Sequence, residues 1–145
     1  LNFSDRYTRN SIRLNLMPEL LKYNPALVKA LLNTADICRA EDEFLAEITN
    51  NLIEKTVIIA EGGYAVKRKE LLKAPLALQR RLVRSLWQKV AKAAGGGLGH
   101  HHTEMVLALT GGKKLPLPQQ VLAKVEGGYL YMLPRGRHDL STPVR

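Results

Sequence analysis

The sequence predicts a mainly α-helical chain with a small antiparallel β element near its C-terminus. Three observations carry this expectation. Residues 26–55 contain neither Pro nor Gly and repeat apolar side chains at close to a 3.6-residue period. Residues 76–94 do the same between Pro75 and Gly95. The last third is instead divided by Gly111-Gly112 and Gly127-Gly128 into apolar runs of strand length.

Taken in order, residues 9–22 read as a short helix with Ile12, Leu16 and Leu20 on one face. Pro18 is awkward inside it and either kinks the helix or opens a new one at its first position. Asn24-Pro25 marks a boundary, with Asn24 as N-cap and Pro25 at N1. Leu27, Leu31, Ala35 and Cys38, then Leu45, Ile48 and Leu52, line one long helix or two abutting ones. Thr56–Ala60 is β-branched and apolar, and Glu61-Gly62-Gly63 can turn it back into Tyr64–Lys67 as a hairpin. Lys69–Ala74 forms a helical turn closed by Pro75. The helix from Leu76 to about Ala94 places Leu78, Leu82, Val83, Leu86, Trp87 and Val90 inward, and Arg80, Arg81, Arg84, Gln88 and Lys92 largely outward. Gly95–Gly99 is a flexible join. His100–Leu109 is helical again, and Lys113–Pro134 suggests a two- or three-stranded antiparallel sheet around the Glu126-Gly127-Gly128 turn. The last ten residues, rich in Pro, Arg and Gly, are expected to fray. No internal repeat is present.

With 145 residues, 46% hydrophobic and 24% charged, the composition is that of one globular domain rather than a disordered chain. No apolar run approaches the roughly 18 residues a membrane span needs, so no membrane partner is expected. The one cysteine, Cys38, excludes an internal disulfide and fits a reducing, cytoplasmic setting. Its helical neighbours favour a small buried hydrophobe over a nucleophile. The net charge of +9 is unevenly spread. Residues 36–54 hold six acids against Arg39 alone, whereas residues 67–92 hold nine bases against Glu70 alone. Basic helices usually interleave acids for support, and this one does not. Clustered cations on one helix attract a polyanion, and nucleic acid fits better than a merely solvated face.

Several other patterns are weaker. Three consecutive histidines, His100–His102, diverge by about 100° each on a helix and cannot converge on one ion, so no metal site is expected. Gly95-x-Gly97-x-Gly99 follows a helix, not the strand a phosphate cradle requires. No Ser-His-Asp, Cys-His or carboxylate pair stands out, and no complete catalytic site is expected. Arg9 and Arg13, four apart on a helix, share a face and can bind phosphate or carboxylate. Pairing with Asp5 or Glu19 is an equal alternative on spacing alone.

The sequence resembles a known family. Asn2, Tyr7, Arg9-Asn10, Ile12-Arg13, Pro18, Leu20, Asn24-Pro25, Ala35, Arg39, Asp42 and Phe44-Leu45 resemble the stretch that follows the catalytic domain of bacterial tRNA(Ile)-lysidine synthetases. Pro75–Arg84, Gly111–Pro118 and Gly128-Tyr129-Leu130 are similar to later landmarks of that family, in the same order. Two departures stand beside the match: Leu1 occupies a Ser/Thr position, and the C-terminal β segment is short.

The resemblance implies an ATP-dependent ligase acting in tRNA modification. Such enzymes adenylate C2 of the wobble cytidine of a tRNA(Ile) with a CAU anticodon. The lysine amine then attacks to give lysidine. The family's ATP loop, SGGxDS, does not occur in these 145 residues. The chain is therefore expected to be the part after the catalytic domain and to have no ligase activity alone. Its divisions would be a linker helix (1–24), a helical tRNA-binding substrate domain (25–95), a small helix plus β-hairpin (96–134) and a tail (135–145). Arg9, Asn10 and Arg13 match the family's pocket-adjacent element. Lys67, Arg68, Lys73, Arg80, Arg81 and Arg84 are the expected tRNA-binding residues. The partners implied are tRNA(Ile), with L-lysine, ATP and Mg reached through the catalytic domain and no cofactor held by this chain; a homodimer is also compatible. A general nucleic-acid-binding module and a helical protein-interaction domain are the alternatives.

Overall fold

The computed structural model describes residues 3–60, 62–91 and 96–136, with burial described from Tyr7 onward. The chain divides into two compact units, Leu1–Phe44 and Leu45–Arg145. The fold is mainly α with an antiparallel sheet, as the periodicities predict.

In the first unit, α1 (Phe3–Ser11) passes through a π-helical segment, Ile12–Leu16, into α2 (Met17–Tyr23). Pro18 accounts for the change. It sits in the first turn of α2, has no N–H to donate, and its ring would crowd the carbonyl four residues back. A wider preceding turn, in which Met17 N–H donates to Ile12 O, relieves that conflict. Asn24 then ends α2 and starts the next helix. Its Oδ1 accepts from Ala26 N–H at 3.0 Å and its carbonyl from Leu27 N–H at 3.0 Å. The following helix, α3 (Leu27–Thr56), is unbroken.

Cys38 corrects an expectation: it is exposed, not buried. No side chain described between Tyr7 and Phe44 is buried. The periodicity of Leu31, Ala35 and Cys38 defines an apolar stripe, but a stripe does not specify what covers it, and nothing within this unit does.

In the second unit, α3 runs directly into β1 (Val57–Ala60), which turns into β2 (Gly63–Lys67). There follow α4 (Arg68–Lys73), α5 (Leu76–Ala91), α6 (His100–Ala108), β3 (Lys114–Leu117), β4 (Val121–Glu126) and β5 (Tyr129–Pro134). The five strands form one antiparallel sheet in the order β1-β2-β5-β4-β3. The 57–67 hairpin and the C-terminal strands, which local patterns place in separate segments, are thus joined by β2 pairing with β5. Gly63 permits that junction: a Cβ there would lie 2.2 Å from Met132 O.

Alternation along the strands divides the two sheet faces. Val66, Leu130, Met132, Ala123 and Val125 join Leu82, Val83, Leu86 and Trp87 of α5 in the core. Trp87 Nε1–H donates to Pro118 O at 3.2 Å, so the buried indole keeps a partner. The outer residues of the expected 76–94 helix, with Glu61 and the expected frayed tail from residue 137 onward, lie outside the described residues. No described helix is long and apolar enough to cross a membrane.

Candidate nucleic-acid interface

The basic block spans the end of β2, all of α4 and the length of α5. Pro75 separates the two helices and its carbonyl accepts the first α5 bonds, from Leu78 and Gln79 N–H. The Gln79 side chain closes the corner by donating to Ala74 O at 2.7 Å and Leu72 O at 3.3 Å. Burial of Leu82, Val83, Leu86 and Trp87 then sets the rotation of α5. Arg84, Gln88 and Lys89 face solvent, while Arg80 and Arg81 sit at the margin.

The six expected tRNA-binding residues are not equivalent. Lys67, Lys73 and Arg84 are exposed, and Lys73 pairs with Glu70 at 2.9 Å. Arg81 is half-buried. Arg68 turns inward, its guanidinium donating to Leu109 O and, at 3.2 Å, to Leu107 O. It thereby ties β2 and α4 to the C-terminal end of α6, where the helix dipole favours a cation. Arg80 Nε donates to Glu104 Oε1 at 2.7 Å, linking α5 to α6. Lys69 and Lys89, named in the basic block but not among the six, are also exposed.

These pairings perturb the acids. The hydrogen bond and charge of Lys73, with Lys69 and Lys67 adding, hold the Glu70 carboxyl below its ordinary range against partial desolvation. Glu104 is lowered by the hydrogen bond from Arg80, against desolvation, with the charges of Arg80 and His100 assisting. Both carboxylates remain charged near neutrality and locally offset the basic field.

Arg9, Asn10 and Arg13 are exposed in the first unit. Arg9 belongs to α1 and Arg13 to the π-helical segment, so the assumed regular α-turn between them is broken at Ile12. Among the described residues, no group of three or more His, Cys, Asp or Glu side chains could hold a metal ion. His100–His102 form the first turn of α6, the rings of His101 and His102 meeting edge-on at 5.9 Å.

No family model matches the sequence. Individual proteins do. The tRNA(Ile)-lysidine synthase of Synechococcus is 30% identical over 130 residues, covering 89% of this chain and 39% of that protein. The one from Solibacter usitatus is 35% identical over 109 residues, covering 74% and 24%. That of Symbiobacterium thermophilum is 35% identical over 137 residues, covering 88% and 28%. The chain belongs to the tRNA(Ile)-lysidine synthase family. Its match lies in the C-terminal part of the relatives, and it spans about a quarter to two-fifths of their length.

Proposed function

We propose that this chain is the tRNA-recognising part of a tRNA(Ile)-lysidine synthase. The observation that carries the proposal is the α4–α5 block, whose exposed cations Lys67, Lys69, Arg84 and Lys89 stand on elements packed into the core of the second unit, in a family named for tRNA(Ile). Lys67, Lys73, Arg81 and Arg84 take phosphates of the tRNA, positioning it by backbone shape, since the deep groove of an A-form duplex offers little base readout. Arg68 and Arg80 act one step back, holding α6 against α4 and α5 through the Leu107 and Leu109 carbonyls and Glu104.

In the whole protein ATP activates C2 of the wobble cytidine and the lysine amine displaces AMP. In the proposed reading ATP and lysine are reached through the catalytic domain, which the Arg9–Arg13 element of this chain adjoins. Its contribution is to bind and orient the tRNA, with Arg9, Asn10 and Arg13 set toward the pocket, so that the wobble base is presented in a reactive position. The test is direct binding of the purified chain to tRNA(Ile) with a CAU anticodon against other tRNAs. Preference for tRNA(Ile) supports the reading. Equal binding to all RNAs would reduce it to a general nucleic-acid module, and indifference to RNA would leave a protein-interaction domain.

A further inference from the structure

The face of the sheet opposite the α5 core carries a second arrangement that none of the basic helices contributes to. Tyr129 and Tyr131 stand two apart on β5 and therefore project on the same side, away from Leu130 and Met132. Their ring centroids lie 6.2 Å apart, tilted at 47°. The register sets charged residues around them, with Glu126 of β4 directly opposite Tyr129 on one side. Lys67 of β2 is directly opposite Tyr129, and Lys124 of β4 is directly opposite Tyr131. Lys114 of β3 is in turn opposite Lys124. Lys124 Nζ lies 4.8 Å from the Tyr131 ring centroid and 2.9 Å from Glu126 Oε2. Both tyrosines are partly exposed, and Lys67 and Lys114 are exposed.

Lys114 opposite Lys124 is a like-charge pair, and Glu126 offsets it: the hydrogen bond and charge of Lys124, with the charge of Lys114 adding, hold the Glu126 carboxyl below its ordinary range. Three lysines against the single acid Glu126, around two partly exposed tyrosine rings, leave a surplus of positive charge beside aromatic surface. That combination suits single-stranded RNA, whose bases stack on aromatic rings while its phosphates meet cations. A folded protein partner would need matching acids and deeper apolar burial than two half-exposed rings provide.

We propose that the Tyr129–Tyr131 face of the sheet is a stacking platform for a single-stranded RNA segment, with the exposed Lys67 and Lys114 meeting its phosphates and Lys124, paired with Glu126, bracing the Tyr131 ring. Lys67 ends β2 where α4 begins, so the platform and the tRNA-contacting block adjoin at that residue. The inference rests on the RNA-binding reading above.

The experiment measures binding of the full chain to an unstructured RNA oligonucleotide and to tRNA across a salt series. Three forms are compared: wild type, Tyr129→Leu/Tyr131→Leu and Tyr129→Phe/Tyr131→Phe. The leucine form should lose roughly ten- to a hundredfold in single-strand affinity, because base–ring stacking is lost. Its salt slope should not change, because no charge is removed. The phenylalanine form, which keeps the rings, should bind like wild type. If wild type binds tRNA but the leucine form binds the oligonucleotide equally well, the platform is refuted and the tRNA reading stands. If wild type binds no RNA, both fall. Should the leucine form unfold, photocrosslinking of 5-bromouridine RNA to the wild-type chain decides the matter. Crosslinks to Tyr129 or Tyr131 support the platform, and crosslinks confined to other segments overturn it.

Discussion

Arg68→Ala separates a structural cation from an RNA-binding one. The Arg68 guanidinium donates to two carbonyls at the C-terminal end of α6, those of Leu107 and Leu109, and Leu109 is buried. Its backbone N–H, which donates to Gly128 O at 2.9 Å, survives the substitution. A hydrogen bond from a charged donor contributes about 1.5–3 kcal/mol, and loss of the donor leaves carbonyls without a partner. Because the group is partly exposed and water can reach part of the gap, the two bonds together correspond to roughly 2–4 kcal/mol. For a unit of about 100 residues, each kcal/mol moves the melting temperature by about 4–8 °C, so a fall of about 10–30 °C is expected. Urea unfolding followed by fluorescence of Trp87, which is 2% exposed, reports this unit directly. Arg68→Lys should recover only part of the loss, since one ammonium cannot span both carbonyls in the fork geometry. At a temperature where the variant is folded, its RNA salt slope should match wild type. A stability change within about 0.5 kcal/mol of wild type would refute the clamp.

Two other outcomes follow from the same cluster. Arg84→Ala should lower the log–log salt slope of tRNA binding by about 0.7–0.9, one phosphate contact, while Arg80→Ala, already paired with Glu104, should lower it by less than half of that; equal effects would show that the ion pair does not hold Arg80 back. Glu104 has a folded value below its ordinary 4.5, so its stabilising contribution is present above that value and is lost as pH falls through the lower one. Glu104→Gln should therefore flatten the acid limb of stability below about pH 4.5 relative to wild type, and identical acid profiles by urea titration would exclude a contribution from the pair.

Much of the fold is legible in the sequence because its elements are marked locally. Pro75, Gly111-Gly112 and Gly127-Gly128 punctuate the chain where the backbone turns, and the period of Leu82, Val83, Leu86 and Trp87 orients α5 correctly. The π-helical segment at Ile12–Leu16 is less legible. Pro18 signals a disturbance, but whether the chain kinks, restarts or widens its turn depends on small differences in backbone energy. The connection through Gln119 and Gln120 is hidden for a related reason. Both adopt left-handed backbone angles, φ 60° and 56°, at positions where residue type would favour Gly or Asn.

The candidate interface divides in the same way. The charge imbalance of residues 67–92 is a property of composition, and it marks the basic block without reference to any contact. Which cations remain available is not such a property. Arg68 and Arg80 look identical to Arg84 in sequence, yet they reach carbonyls and a carboxylate 24 to 41 residues away. Tyr129 and Tyr131 likewise read as ordinary strand residues until their lysine neighbours are known.

By itself, then, the sequence determined the helical and extended segments, the position of the positive charge and the family, because each is written in local period, composition or motif. Only the tertiary structure decided that two distant hairpin regions share one sheet, which arginines serve the frame, and that Cys38 faces solvent. Each of those depends on long-range register or on what covers a face, and neither quantity has a local signature.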